Sequence, residues 1–310
     1  MKVVSIINYK GGVGKTTLTA NLGAYAAMKG YRVLLVDLDP QTHLTFSFMS
    51  MEQWRDRYKE TKTLKNYFDC LIDSKPRISL SSLAIPLNYS PCRKFDLLSS
   101  HLSLADMDMK LSSICSGSNF SLVAGNSLRM YNYLNTGLEE LKSDYDLVLI
   151  DCSPNFNALV RNAAVASDYY LVPVRLDYLS SLGMKNLKAS IFLFLNEYGE
   201  FQKARPDLEY KTVSLEMLGV VPMMVQVQKD VITAQKEYMS RLQEEGHIIF
   251  PYVRNSFAVF SLERTEKGPV VLTEKRYFAT KSAQQSPLFK VVNELFTLGD
   301  EFLKRINLQN

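Results

Sequence analysis

The sequence predicts an α/β fold, a doubly wound, mostly parallel sheet with helices on both faces. Three observations carry that expectation. Short apolar, β-branched runs recur at residues 3–8, 32–37, 95–99, 145–151, 169–174 and 218–224. The first two are almost wholly apolar, as strands covered on both faces are. Segments with helical spacing of apolar residues stand between most of these runs.

Taken in order, the first strand, residues 3–8, runs into a glycine-rich turn. Residues 16–29 then read as a helix, with Leu18, Leu22, Tyr25 and Ala26 at helical spacing and Gly30 as its stop. Residues 32–37 form a second buried strand ending in Asp37, so the two strands make a βαβ unit with a right-handed crossover. The alternation returns as strand 145–151, helix 155–166, strand 169–174, helix 179–198, strand 218–224, helix 229–245 and a closing helix at about 287–306. In between, 54–68 read as a helix, 78–90 are rich in serine and leucine, and 95–99 read as a strand. No linker composition bounds that stretch. The chain, 1–310, is therefore expected to be a single domain with an elaborated crossover at about 50–120.

Of the 310 residues, 46% are hydrophobic and 22% charged, which is ordinary globular composition. A net charge of +4 permits contact with a polyanion without demanding it. Cys70, Cys92, Cys115 and Cys152 form no C-x-x-C pair, so reduced thiols are expected rather than a disulfide framework or zinc site. The opening apolar run is too short for a signal peptide, and no stretch approaches the roughly 18 apolar residues of a membrane span. A cytoplasmic location follows as the expectation.

The chemistry concentrates at Lys10-Gly11-Gly12-Val13-Gly14-Lys15-Thr16-Thr17. A strict Walker A loop has glycine five places before the final glycine; here that place holds Tyr9. The physics is still that of a phosphate cradle. Gly11, Gly12 and Gly14 allow backbone conformations closed to other residues, so their N–H groups can converge on phosphate oxygens. The following helix points its positive end at the same anion. Lys15 is placed to bridge β- and γ-phosphates, and the Thr16 hydroxyl to ligate Mg²⁺. Asp37, Asp39 and Asp151 lie at or just beyond the carboxyl ends of predicted strands, where doubly wound sheets bind ligands.

These residues resemble the ParA/MinD family of deviant Walker ATPases, of the P-loop NTPase type, and most closely its ParA branch. The loop, Asp37-Leu-Asp39-Pro-Gln41 and Ile150-Asp151-Cys152-Ser-Pro154 stand in the family's order and spacing. Fainter likenesses continue at 173–183, at 218–221, at Val253-Arg254-Asn255 and at 267–270. The resemblance implies ATP and Mg²⁺ as cofactors and a homodimer sandwiching ATP. Lys10 then reaches the partner's nucleotide, Lys15 and Thr16 hold phosphate and metal, Asp39 activates water, and Asp37 and Asp151 surround the magnesium. It further implies slow hydrolysis stimulated by a ParB-like or other adaptor, non-specific DNA binding in the ATP state, nucleoid association, and positioning of plasmid, chromosome or protein cargo.

The sequence departs from the family in three places. Asn155 stands where a second proline usually follows Walker B, no proline precedes Arg254, and residues 50–90 are longer than a minimal member needs. A start directly at the first strand leaves no room for an N-terminal helix-turn-helix, so operator binding is not expected. Lys185, Lys188, Lys203, Arg205, Lys229, Arg254, Lys275 and Arg276 are candidates for DNA contact. A MinD-like membrane anchor would need the apolar face of residues 295–306, but core packing explains that face and Glu294, Asp300 and Glu301 offset its cations. Cys92 and Cys115 lack the glycine-rich setting of a metallocluster ATPase. A nucleotide-switched binding protein with negligible turnover is the non-enzymatic alternative.

Overall fold

The computed structural model describes residues 1–228, 231–232, 235–260, 268–273 and 280–308. Its strands are β1 (Lys2–Ile6), β2 (Arg32–Asp37), β3 (Ile85–Pro86), β4 (Lys94–Leu98), β5 (Leu147–Asp151), β6 (Tyr169–Val174), β7 (Glu216–Val225), β8 (Val227–Gln228), β9 (Val231–Ile232) and β10 (Val253–Arg254). Eight of them form one sheet in the order β10-β7-β6-β1-β5-β2-β4-β3. Every pairing in it is parallel except that of β3 with β4. The mostly parallel, doubly wound sheet expected from the apolar runs is therefore present.

The central strands are mostly apolar because both faces are covered. Val3, Leu34, Val36, Val148 and Ile150 point into one core, which the helices Leu64–Ile72, Leu104–Ile114, Phe120–Tyr131, Tyr133–Glu139, Ala158–Ala166 and Tyr178–Ala204 complete. Their strand neighbours Val4, Val33, Leu35, Leu147 and Leu149 point into the other. There the helices Lys15–Met28 and Pro287–Arg305 close the layer. Alternating side chains thus feed two cores, the pattern of a parallel sheet packed between helical layers.

Two expectations need correction. The helix expected over 54–68 is broken into Met51–Arg57 and Leu64–Ile72. Thr63 starts the second of these: Asn66 Oδ1 accepts from its N–H and hydroxyl, a capping arrangement that outweighs continuous helical spacing. Among the described residues of 229–245 the helix is Lys236–Glu244, and Val227–Gln228 pairs antiparallel with Val231–Ile232. The β-branched residues there favour the pleated pairing. Lys229, and likewise Lys267, Lys275 and Arg276, lie outside the described residues. The helices Leu104–Ile114, Phe120–Tyr131 and Tyr133–Glu139 were not named from the sequence; among the elements that were, the other differences are at boundaries. Helix 179–198 extends to Tyr178–Ala204, and helix 155–166 begins only at Ala158, where the Asn157 side chain caps Val160 N–H.

Helix Lys15–Met28 carries the glycine-rich loop, so its seating decides where that loop stands. The Tyr25 ring packs edge-on against Phe296 and its hydroxyl meets Asp300, both on helix Pro287–Arg305. A Cβ at Gly299 would run into the Tyr25 ring. Gly299→Ala gains about 1 kcal/mol of helix propensity but overpacks this contact at a cost of about 1–3 kcal/mol. We expect a lower midpoint in urea than wild type; an unchanged or higher midpoint would show that the ring can move aside.

Candidate functional site

β1 lies between β6 and β5, and the chain turns to opposite sides of it, which makes its carboxyl end the switch point of the sheet. The residues after β1 occupy that crevice. Asn8, buried, donates from Nδ2 to the Pro173 carbonyl at the end of β6 (2.7 Å) and accepts the Lys10 N–H on Oδ1 (2.9 Å). The mouth of the loop is thereby pinned to the neighbouring strand. Gly12 and Gly14 then take φ values of 68° and 92°, conformations that exclude a Cβ at little cost only for glycine. A Cβ at Gly14 would also lie 3.0 Å from the Met223 side chain on β7.

Gly14 precedes helix Lys15–Met28 and offers no side-chain cap. The first amides of a helix have no acceptor within it, so those of Lys15, Thr16 and Thr17 are available to an anion. Above Gly11 and Gly12 a Cβ would meet nothing within 4 Å. Open space over uncapped amides, with a lysine and a threonine at the rim, is the donor set a phosphate group needs. The residues present fit one.

Lys15 is buried, its Nζ donating to the carbonyls of Asn8 (3.2 Å) and Lys10 (3.3 Å). Burial pulls its pKa down, while the charges of Asp151 and Asp39 oppose that shift. Thr16 Oγ1 donates to Asp151 Oδ2 (2.7 Å), and Thr19 Oγ1 lies 3.5 Å from the other Asp151 oxygen. Asp37 and Asp151 end adjacent strands in direct register, and both are fully buried. Burial first, and the mutual repulsion of the carboxylates second, hold Asp37 well above the usual carboxylate range. Asp151 is pushed up to about 7, chiefly by burial, against the Thr16 hydrogen bond that favours its charge. Asp39, also buried, accepts the Gln41 N–H on Oδ1 (3.0 Å).

Lys10 turns away from the loop and pairs with Asp177 Oδ2 at 2.6 Å. The other Asp177 oxygen accepts the Ser180 N–H (2.9 Å) and caps helix Tyr178–Ala204. Burial alone would raise the Asp177 carboxyl, but the bonds from Lys10 and Ser180 outweigh it and hold the pKa low. One carboxylate thus joins the loop lysine to the start of a 27-residue helix.

Lys10, Gly11, Gly12, Val13, Gly14, Lys15, Thr16, Thr17, Asp37, Asp39 and Asp151 all stand at the carboxyl end of the sheet, around β1, β2 and β5. Four contributors escaped the sequence reading: Asn8, Thr45, Ser100 and Asp177. Asp177 had a legible signal, an acid three residues before Ser180 at a helix start. Asn8 and Ser100 had none, because their partners Pro173 and Asp39 are distant in sequence. Among the described residues no three His, Cys, Asp or Glu side chains are grouped as a metal cage. Mg²⁺ commonly takes one or two carboxylates and completes its shell with phosphate oxygens and water, and Asp37 and Asp151 in direct register are a pair of that kind.

The fold and the loop define a P-loop protein of the two-lysine, deviant Walker class. The model of the AAA_31 family, an AAA domain, matches residues 1–202, and the chain belongs to that family, among the ParA/MinD-type ATPases. It is 32% identical over 192 residues to the sporulation initiation inhibitor protein Soj of Bacillus subtilis, a match covering 62% of this chain and 65% of Soj. Among solved structures, the ATP complex of a McdA variant from Cyanothece superposes with a TM-score of 0.67 at 18% identity, covering 100% of this chain and 98% of that one. A plasmid partition protein from Borrelia burgdorferi superposes with a TM-score of 0.59 at 17% identity, covering 98% of each. At such identities the structural matches establish the fold.

The Asp151 carboxyl gives a pH signature independent of any ligand. Its pKa is about 7 folded against about 3.9 unfolded. Between those values the folded chain keeps a proton that the unfolded chain has lost, so this group's contribution to stability falls as pH rises and levels off above 7. Asp151→Asn removes the titration. In EDTA, the stability of that variant relative to wild type should improve by about 1 kcal/mol or more between pH 4 and pH 8. A difference that stays constant with pH would contradict the raised carboxyl.

Proposed function

We propose that this protein is a Mg²⁺-dependent ATPase whose ATP-bound form is a homodimer that binds DNA without sequence preference. With an adaptor that stimulates hydrolysis, it positions plasmid, chromosome or protein cargo, and it does so on the nucleoid. The observation that carries the reading is the loop itself. Lys15 is buried on loop carbonyls beneath uncapped helix amides, with Thr16 on Asp151 beside it.

The chain's own residues supply what phosphoryl transfer requires, which is mainly positioning and charge neutralisation. The amides of Gly11 to Thr17 and the Lys15 ammonium bind and orient the phosphates. Thr16, Asp37 and Asp151 would hold the magnesium, which neutralises charge on the phosphates. Asp39 orients the attacking water and accepts its proton. In the single chain Lys10 is held by Asp177, and in the dimer it leaves that carboxylate for the partner's nucleotide. Exchange of one ion pair for another then links nucleotide state to helix Tyr178–Ala204.

The cation candidates for DNA contact divide by exposure. Arg205 pairs with Asp207, and Arg254 pairs with Glu294 at 2.7 Å with both side chains mostly buried, so these two serve the fold. Lys185 and Lys203 are mostly exposed, with Glu245 and Glu200 beside them, and Lys188 reaches the His247 ring. These lysines are the better phosphate contacts. A lipid anchor finds less support. Val291, Val292, Leu295, Leu298, Phe302 and Leu303 of helix Pro287–Arg305 are buried in the core, and no described helix is long and apolar enough to cross a membrane.

The deciding experiment is binding to a non-specific DNA duplex with ATP, with ADP and without nucleotide, at two salt concentrations, using wild type and Lys15→Ala. Wild type should bind only with ATP, more weakly at higher salt, and Lys15→Ala should not bind in any state. Equal wild-type binding in all three states, or none with ATPase activity intact, would overturn the DNA switch. Wild-type turnover by Lys15→Ala would overturn the site.

A further inference from the structure

We infer that Ser100, acting with Thr45, is a positioning residue for Asp39, fixing the direction of that carboxylate through the backbone of its loop. The inference rests on the ATPase reading above and gives the long crossover a task in it. Asp39 lies in the turn between β2 and helix His43–Phe46, where Thr42 takes a φ of 61° without being glycine. A non-glycine residue in that region costs on the order of 1 kcal/mol and persists only where its surroundings over-determine it.

The over-determination comes from the segment just after β4, far along the chain. Ser100 Oγ donates to the Asp39 carbonyl at 2.6 Å, and Ser100 N–H donates to Thr45 Oγ1 at 3.2 Å. The Thr45 hydroxyl and N–H both donate to Asp37 Oδ2, at 2.7 and 2.8 Å. The Asp39 N–H points to Asp37 Oδ1 at 3.3 Å. Both ends of the Asp39 residue are therefore held, the N–H by Asp37 and the carbonyl by Ser100. With both neighbouring peptide planes set, the Cα–Cβ bond has one direction. Ser100 and Thr45 are fully buried. A buried hydroxyl costs free energy unless it is bonded; that of Ser100 is bonded to this turn and that of Thr45 to Asp37 at the strand end before it.

Ser100 itself is fixed from behind. Ser99, the preceding residue, accepts the Leu64 N–H on its carbonyl (2.9 Å) and donates from Oγ to the Lys62 carbonyl (3.0 Å). The segment at 62–64 thus buttresses the strand end that holds the acid.

The test is ATP hydrolysis and Mg·ATP affinity in wild type, Ser100→Ala, Thr45→Ser and Thr45→Val. Ser100→Ala should lower kcat by about ten- to a hundredfold, since displacement of a reacting group by ~1 Å can cost that much, with nucleotide affinity unchanged. Thr45→Ser, which keeps the hydroxyl, should behave as wild type; Thr45→Val should lose kcat as Ser100→Ala does. Wild-type kcat in Ser100→Ala, or kcat and affinity falling together with the melting temperature, would overturn the positioning role alone. If Ser100→Ala does not fold, equal kcat in the two Thr45 variants overturns it. A wild-type protein with no turnover at all overturns the ATPase reading and this inference with it.

Discussion

A buried ammonium facing buried carboxylates is the constraint on which the site depends. Lys15 rests on the carbonyls of Asn8 and Lys10 while the charges of Asp151 and Asp39 act on it. An isolated buried charge costs several kcal/mol, and opposite charges repay that only with good geometry and further hydrogen bonds. Here the hydrogen bonds come from the loop backbone, and the acids come from strands in register. Asp37 and Asp151, side by side, are disfavoured as carboxylates. A dication would relieve that repulsion, and an anion on the loop would take up the lysine. The free chain thus holds acids and lysine in a balance that a magnesium nucleotide improves.

The sheet follows from the same demand. Parallel strands with both faces covered must be apolar along their length, which leaves their carboxyl ends as the place for charge. β1 sits at the switch point, so the loop after it meets side chains from β2, β5 and β6. The helix that carries the loop is held within its own layer by Tyr25 against Phe296 and Asp300 of helix Pro287–Arg305. Anchoring on both sides keeps Gly12 and Gly14 in conformations that the loop alone would not retain.

Much of this was legible in the sequence, for a physical reason. Strands buried on two faces announce themselves as β-branched apolar runs, and a phosphate loop has to be local because one helix start supplies its amides. Residues 10–17, Asp37, Asp39 and Asp151 could be picked out on that basis. Partners joined by folding alone could not. Asn8 bonds Pro173, Ser100 bonds Asp39, and Lys10 bonds Asp177, each across a separation that leaves no periodic trace. The break at Thr63 and the pairing of Val227–Gln228 with Val231–Ile232 were missed because a cap and a short hairpin compete locally with helical spacing.

The measurement that tests the central claim most directly is a calorimetric titration of the wild-type chain with ATP, in Mg²⁺ and in EDTA. The loop and its acids should bind one ATP per chain, more weakly once the metal is removed. No binding in either buffer, or binding of equal strength in both, would contradict a site built from Lys15, Thr16 and the paired carboxylates.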